Sequence, residues 1–249
     1  MSKKAVWLCH YPVASYLVDF HKKLSLQSLI GLMQESAWIH SAHLEQGYLE
    51  TTERGAAWVL IRQRVRMQRW PDWGETVTVR TWLRPPGAAV VTRDFELLVG
   101  GEQVGQACAD WITIDTGTRR PIPLYFKDLP GQFRGDFALE ISPLKLPVLK
   151  DGWQNLADFE VRAGDLDMNR HANNVRFAQW ILDALPWAVH ENQRLQAYHV
   201  NFLAEAKLGD RVTIESQPAL PGQALELRGF RFSDGKALFS ARLEAALRV

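Results

Sequence analysis

Cysteine is scarce in this sequence of 249 residues. Only Cys9 and Cys108 are present, and they form neither a CxxC pair nor a disulfide framework. So few thiols are typical of a protein from a reducing compartment. Neither an H-E-x-x-H pattern nor a G-x-S-x-G pattern occurs, so the usual zinc and serine hydrolases are not indicated. We therefore expect no metal and no cofactor.

Long apolar runs and an excess of charge are also missing. No stretch reaches the roughly 18 consecutive apolar residues of a membrane helix, so no membrane insertion is expected. The net charge is only +1, which argues against a nucleic-acid binder. The start, MSKKAVWLCHYPVASYLVDF, has no long apolar core and no clear cleavage site, so we expect no signal peptide and a cytoplasmic location.

Proline is concentrated in one segment. Five of the 12 prolines lie between Pro121 and Pro147. Because proline suits neither a central strand nor a helix interior, residues 126–150 are expected to be a linker. It would separate an N-terminal domain, residues 1–125, from a C-terminal domain, residues 151–249.

The two halves resemble each other. In the first, the segment SYLVDF reads as a strand and precedes a helix, LSLQSLIGLMQESAWIHSAHL. In the second, FEVRAGDLDMN precedes NNVRFAQWILDALPWAVH. Apolar residues recur at helical spacing in both. The predicted stripes are Leu26, Ile30, Met33, Ala37 and Leu44, and Val175, Ala178, Leu182, Leu185 and Val189.

Several strands follow each predicted helix. The pairs Gly74–Glu75 and Gly209–Asp210 occupy equivalent turns, and Gly100–Gly101 and Ser233–Gly235 close hairpins. A long apolar helix needs a curved sheet to bury it. The sequence therefore predicts an α+β fold of two tandem hotdog domains, each a long helix wrapped by a curved antiparallel sheet.

The run DLDMNRHANNVRFAQWIL, residues 165–182, places many polar residues before the second helix. One interpretation is a turn followed by a cap at Asn173 or Asn174. The other is an active site, because Asp167, Asn169 and His171 point to one side of an extended segment. If Asp19 aligns with Asp167, the first half has His21 and Lys23 where the second half has Asn169 and His171, so only the second half carries the Asp-x-Asn-x-His pattern.

Glu205 in NFLAEAKLGD is a further candidate, because a carboxylate within an apolar segment is costly unless it is paired or used. A surface glutamate before a turn is the alternative. Spacing alone does not choose between the two interpretations.

Most of the chain resembles the acyl-acyl-carrier-protein (acyl-ACP) thioesterase family of plants and bacteria. The similar segments are DLDMNRHANNVRFAQWILDALP, YPVASYLVDFHKKLSLQSLIGLMQESAWIH, WVLIRQRVRMQRWPDWGETVTVRTW and ITIDTGTRRPIPLY. The resemblance implies the double hotdog fold and release of free fatty acid from acyl-ACP in fatty acid biosynthesis. It also implies catalytic roles for Asp167, Asn169, His171 and Glu205. Many plant members carry a cysteine where this chain has Ala206, so a thiol mechanism through that position is excluded. Their targeting extension has no counterpart here, which favours a bacterial-type cytosolic enzyme.

The expected mechanism uses a positioned water. His171 and Glu205 hold or activate it, one of them as general base, and direct attack by Glu205 through an anhydride stays open. Asp167 is expected to orient His171, while Asn169 and backbone N–H groups at the helix start stabilise the oxyanion.

The binding surfaces are expected in the first half. The alternative for the apolar residues is ordinary core packing, and the alternative for the arginines is a solvated strand face. The predicted acyl wall is Ile30, Met33, Trp38, Trp58 and Leu60, and the predicted surface for the acidic carrier protein is Arg62, Arg64, Arg66, Arg119 and Arg120.

Three other functions fit a hotdog protein. An acyl-CoA thioesterase would use another carrier. A hotdog dehydratase or hydratase would act on the acyl chain and leave the thioester intact. A non-catalytic acyl-binding protein would not need the Asp-x-Asn-x-His motif. A homodimer is one option for the assembly.

Overall fold

The computed structural model describes residues 4–87, 89–122, 132–139, 143, 145–146, 151–217 and 223–248. The chain divides into two compact units, Met1–Pro143 and Leu144–Val249. The domain limits expected at residues 125 and 151 stay predictions, because more than half of the segment 126–150 lies outside the described residues.

The first unit is an antiparallel sheet with a long helix. Its strands lie in the order β1-β3-β4-β5-β2, with the short β6 paired to β5. The stripe expected on α1 is confirmed, because all five of its residues are buried. The elements are β1 (Val6–Pro12), α1 (Leu26–His43), α2 (Tyr48–Glu53), β2 (Ala56–Met67), β3 (Thr76–Leu83), β4 (Val91–Val99), β5 (Glu102–Asp115) and β6 (Pro121–Ile122).

The second unit repeats this plan. Read from β7, its strands lie in the order β7-β9-β10-β11-β8. This is the order of the first unit, with β7 in the place of β1 and β8 in the place of β2. The elements are β7 (Gln154–Glu160), α3 (Asn174–Asp183), α4 (Trp187–Asn192), β8 (Gln193–Phe202), β9 (Arg211–Ser216), β10 (Leu225–Arg231) and β11 (Ala237–Leu247). Each half is thus the α+β hotdog unit that the sequence predicts. None of the described helices is long and apolar enough to cross a membrane.

The second helix is shorter than expected. It ends at Asp183, and a new helix begins at Trp187. Pro186 explains the break, because proline disfavours helical backbone at the residue before it. The buried face of α3 is Phe177, Ala178, Trp180 and Ile181, so only Ala178 of the expected stripe is fully buried.

The prediction of a strand at SYLVDF, residues 15–20, is wrong. Ser15–Leu17 forms a 3-10 turn, and the strand of this region is the preceding β1. The chain then reverses at Asp19, whose carboxylate accepts the backbone N–H groups of His21 and Lys23. Local hydrogen bonds of an aspartate therefore prevail over the apolar alternation of the segment.

Part of the proline-rich segment packs on the first sheet. The N–H of Arg134 donates to the carbonyl of Leu83 (2.9 Å), and the N–H of Ala138 donates to Oδ1 of Asp94 (3.1 Å). Asp94 is fully buried and forms a bidentate ion pair with Arg84 (2.5 and 2.7 Å). Residues 132–139 therefore belong to the first unit, where they help to satisfy a buried carboxylate.

Candidate active site

The loop before α3 is folded around the carboxylate of Asp167. Its Oδ1 accepts the backbone N–H groups of Asn169 (2.8 Å) and His171 (3.2 Å). The backbone closes the same turn, because the N–H of Asp167 donates to the carbonyl of His171 (2.8 Å). Arg170 takes a positive φ of 62° at the tip. The polar run is thus a tight, internally bonded turn that presents the side chains of Asn169 and His171.

The first unit contains the same turn. Oδ1 of Asp19 accepts the N–H groups of His21 (2.9 Å) and Lys23 (3.1 Å), and the N–H of Asp19 donates to the carbonyl of Lys23 (2.8 Å). Lys22 has a φ of 60°. His21 and Lys23 therefore occupy the positions of Asn169 and His171, as the alignment of Asp19 with Asp167 requires.

This comparison shows a backbone role for Asp167. Its carboxylate holds the backbone of the loop, and within the described residues no hydrogen bond joins it to the His171 ring. Asp19 does the same in a unit that has no histidine at the equivalent position. The aspartate therefore shapes the turn in both units, and its effect on the orientation of the His171 ring stays a prediction.

His171 and Glu205 are brought together by the fold. Nε2 of His171 lies 3.2 Å from Oε2 of Glu205, and the two side chains are 24% and 35% exposed. A backbone hydrogen bond from Ala172 N to Ala206 O (2.8 Å) joins the two segments next to the pair. In addition, Nη2 of Arg231 donates to the carbonyl of Glu205 (2.9 Å). The candidate pair is thus held by its neighbours' backbone and remains accessible.

The same scaffold in the first unit carries no such pair. Leu24 N donates to Pro71 O (2.8 Å), which is the counterpart of the bond between Ala172 and Ala206. Trp70 then stands at the position of Glu205, and Lys23 at the position of His171. Lys23 is engaged with Asp72 (2.5 Å). The imidazole and carboxylate pair is therefore a feature of the second unit's loop.

Asn169 and the helix start offer different groups to a ligand. The side chain of Asn169 is exposed and makes no hydrogen bond within the described residues. At the start of α3, Asn173 caps the helix by accepting the N–H of Val175 (3.1 Å) on its side chain and that of Arg176 (2.8 Å) on its carbonyl. These two helix-start N–H groups are thus already bonded, and a role of the helix start in binding an oxyanion stays a prediction.

The expected acyl wall lies mostly on the buried face of the first unit. Ile30, Met33 and Leu60 are buried, and Trp58 is half-buried against a cluster that includes Leu44. Trp38 is an exception, because it is 41% exposed and stacks on Tyr48 (5.7 Å between centroids). It lies on the side of α1 away from the buried stripe, so it does not share the buried face with Ile30, Met33 and Leu60, and its place in the wall stays a prediction.

The expected basic surface is present on strand β2. Arg62, Arg64 and Arg66 face outward after a bulge between Leu60 and Arg62, and Arg62 forms an ion pair with Asp110 (3.3 Å). Within the described residues, Arg64 and Arg66 take part in no ion pair. Arg119 and Arg120, the other two residues of the predicted surface, are exposed in the turn after β5.

The buried polar residues of the first unit were not predicted from the sequence. Among them, Arg93 and Gln63 are only 3% and 4% exposed. The signal was present in VVTRDFELLV, because strict alternation places Arg93 between the inward positions of Val91 and Phe95.

The comparisons with known proteins identify the family. Residues 4–126 match the model for the acyl-ACP thioesterase N-terminal domain, and residues 150–242 match that for the C-terminal domain. The chain belongs to the acyl-ACP thioesterase family. Its candidate pair, His171 and Glu205, lies within the C-terminal match.

Relatives of this family member include plant proteins. It is 29% identical to oleoyl-acyl carrier protein thioesterase 1 of Arabidopsis thaliana over 81% of this chain and 61% of the relative. It is 28% identical to the palmitoyl-acyl carrier protein thioesterase of the same plant, over 86% of this chain and 55% of the relative. The chain thus spans less than two thirds of the length of these relatives.

Solved structures share the fold over the whole chain. An acyl-ACP thioesterase from Bacteroides thetaiotaomicron superposes with a TM-score of 0.85 at 21% identity, covering 98% of this chain and 100% of the other. The 12:0-ACP thioesterase from Umbellularia californica gives 0.86 at 23% identity, covering 98% of both chains. The double hotdog architecture is therefore confirmed.

A first prediction separates a backbone role of Asp167 from a ring-orienting role. Asp167→Ala should lower the unfolding free energy by about 1–2 kcal/mol, because two N–H groups lose a charged acceptor. Asp167→Asn keeps an acceptor oxygen, so it should retain most stability and turnover of an acyl-ACP thioester. Thermal melts and kcat measurements test both. Asp19→Ala is the matched control and should cost similar stability without lowering kcat. A collapse of kcat in a well-folded Asp167→Asn protein would restore the ring-orienting role.

A second prediction concerns the two thiols. Cys108 is buried, and burial raises the pKa of its thiol to about 12, which keeps it protonated and unreactive at neutral pH. Cys9 is half-buried in β1, and Ala206 follows Glu205 directly. A Cys9→Ser, Cys108→Ala double variant should therefore retain wild-type turnover. The activity of the wild type should also be unaffected by iodoacetamide. Inactivation of a folded double variant would require a thiol in the mechanism.

Proposed function

We propose that the chain is a hydrolase that cleaves the thioester of acyl-ACP and releases free fatty acid, as a step of fatty acid biosynthesis. The observation that carries the proposal is the His171 and Glu205 pair, 3.2 Å apart in the unit that matches the family's C-terminal domain. The names of the similar proteins, oleoyl- and palmitoyl-acyl carrier protein thioesterase, support the same substrate class.

The reaction consumes one water for each thioester. Water attacks the carbonyl carbon and passes its proton to a base, the C–S bond breaks, and the leaving thiolate takes a proton. The products are a carboxylic acid and the free thiol of the carrier. A base within hydrogen-bonding reach of the water is the main requirement, because the thioester is already activated.

The geometry of the pair supports Glu205 as the base. If Nε2 of His171 donates to Oε2 of Glu205, the carboxylate is oriented and its second oxygen can accept a proton from water. The exposed amide of Asn169, two residues before His171, is proposed to donate to the developing oxyanion. Asp167 supports both residues through the backbone turn.

The acyl chain is proposed to lie in the first unit. Ile30 and Met33 on α1 and Leu60 on β2 are buried there, and Trp58 borders the same face. They offer the apolar wall that a hydrocarbon chain requires. The second unit is less suited, because Phe177 fills its interior by packing against Phe202 and Phe239 (5.5 and 5.7 Å between centroids).

The cellular setting is a prediction of the same kind. We infer a cytoplasmic enzyme that needs no cofactor and meets acyl carrier protein as its partner, with a homodimer as one assembly. The two cysteines, both free thiols, are compatible with a reducing compartment.

Measurement of thiol release tests the proposed function. The purified protein should release free thiol and fatty acid from acyl-ACP without added metal or nucleotide. A chelator should not change the rate. Release of an unsaturated or hydrated acyl thioester with no free thiol would instead identify a dehydratase or hydratase. Preference for acyl-CoA over acyl-ACP would identify an acyl-CoA thioesterase.

A third prediction tests the residues of the site. His171→Ala and Glu205→Gln should each lower kcat by roughly 10²–10⁴, the range expected for acid–base groups, and Asn169→Ala by roughly 10²–10³ as for one oxyanion donor. Folding should survive, because these side chains are exposed or partly exposed. Lys23→Ala and His21→Ala, at the equivalent positions of the first unit, are the controls and should keep kcat.

Near wild-type turnover in folded variants would reduce the polar run to a helix entry. Single-turnover reactions in oxygen-labelled water test the anhydride route. Label in Glu205 would show direct attack by its carboxylate, because water then opens the anhydride at the glutamyl carbonyl. General-base catalysis requires label in the fatty acid only, an outcome that an anhydride opened at its acyl carbonyl would also give.

A fourth prediction concerns the carrier. If Arg64 or Arg120 meets an acidic carrier, attraction should speed encounter and fade with salt, because the Debye length falls from about 10 Å at 0.1 M to about 3 Å at 1 M. Arg64→Glu and Arg120→Glu should therefore lower kcat/KM for acyl-ACP several-fold and leave kcat unchanged. The matched comparison is acyl-CoA, which should respond less. Equal effects on both substrates would assign the arginines to folding or general binding.

A further inference from the structure

The inner face of the first sheet carries a polar row across three neighbouring strands. Gln63 of β2 pairs with Ala109 of β5, and Ala109 pairs with Arg93 of β4. Side chains alternate between the two faces of a strand, so all three point to the same side. That side faces α1, because Nη1 of Arg93 donates to Nδ1 of His40 on that helix (2.8 Å). The row therefore lies inside the unit, beneath its long helix.

Arg93 is a buried cation with neutral partners. Besides His40, its Nη2 donates to Oγ of Ser41 (2.9 Å), and no carboxylate of the described residues contacts it. His40 is neutral, because burial and the nearby guanidinium lower its pKa to about 3. Burial lowers the pKa of Arg93 to about 9, which still leaves it charged at neutral pH. The first unit thus keeps the positive charge of Arg93 in its interior without a carboxylate partner among the described residues.

Gln63 adds an unsatisfied acceptor to the row. Its side chain is 4% exposed, and Oε1 is buried with no hydrogen-bond partner within the described part of the chain. Such an orphan acceptor normally costs stability, so a purely structural role does not account for it. Ala109 between Gln63 and Arg93 is small, so no large side chain of β5 separates the two polar side chains along this row.

The next row of the same face belongs to the proposed acyl wall. Leu60 pairs with Trp111, and Trp111 pairs with Val91. Leu60 and Val91 are 6% and 1% exposed. The apolar row is thus followed directly, along β2, β5 and β4, by the polar row. A hydrocarbon chain that extends past Leu60 and Val91 would meet Gln63 and Arg93, whose polar atoms no methylene can satisfy.

We infer that the row of Gln63, Ala109 and Arg93 sets the far limit of the acyl site, so that Gln63 and Arg93 determine which chain lengths are accepted. The inference rests on the proposed function, because it takes the first unit as the place of the acyl chain. The preferred substrates would then be saturated acyl chains that end before this row.

Replacement of Gln63 by an apolar residue tests this limit. Gln63→Leu and Gln63→Met remove the orphan acceptor, so their melting temperatures should equal or exceed that of the wild type. Each buried methylene strengthens apolar binding about fourfold. For a saturated chain two methylenes longer than the wild-type optimum, kcat/KM should therefore rise roughly tenfold. The control is Gln106→Leu, the same change on the outer face of β5, which should leave the chain-length profile unchanged.

A binding experiment without turnover tests this inference separately from the proposed reaction. The affinities of saturated free fatty acids of increasing length are measured for the wild type and the two Gln63 variants by displacement of a fluorescent fatty acid. The optimum should move to longer chains in both variants, whether or not the wild type turns over acyl-ACP. Unchanged length profiles in folded Gln63→Leu and Gln63→Met proteins would overturn the inference. Absence of thiol release by the wild type would overturn only the proposed function.

Discussion

The backbone hydrogen bond from Ala172 to Ala206 joins the loop that carries His171 to the segment that carries Glu205. Its 2.8 Å length leaves the two preceding side chains next to each other, and Nε2 of His171 then lies 3.2 Å from Glu205. The turn around Asp167 fixes the loop on one side, and the bond from Arg231 to the carbonyl of Glu205 fixes the segment on the other. The pair is thus preorganised by main-chain contacts, which leaves both functional side chains accessible.

The two units show how one scaffold supports different chemistry. Asp19 and Asp167 make the same hydrogen bonds, and Leu24 and Ala172 donate to equivalent carbonyls. Gly74 and Gly209 take φ values of 87° and 81° in equivalent turns, where a residue without a Cβ is favoured. Because this frame is independent of the presented side chains, Lys23 can replace His171 without loss of the turn. The difference between the units then lies in a few exposed or half-buried positions.

The interiors of the two units differ as well. Under α3 the second unit packs rings, with Phe177 against Trp180, Phe202 and Phe239. Gly229 allows this, since a Cβ there would clash with the ring of Phe239. Under α1 the first unit instead keeps Arg93, His40 and Gln63 away from water. A core selected only for stability would fill such positions with apolar groups, which supports a binding role for the first unit.

The sequence by itself determined the repeat, the α1 stripe, most strands and the polar run, because each depends on periodicity or turn chemistry within a few residues. It also led to Asp167, Asn169, His171 and Glu205, through local pattern and family resemblance. Three details emerged only with the structure, although their causes lie within a few residues of the chain. The carboxylate of Asp167 bonds to backbone N–H groups, Trp38 faces outward, and α3 stops before Pro186. The pairing of His171 with Glu205, 34 positions apart in the numbering, and the row of Gln63 and Arg93 depend on strand register and long-range hydrogen bonds, which local sequence patterns do not encode.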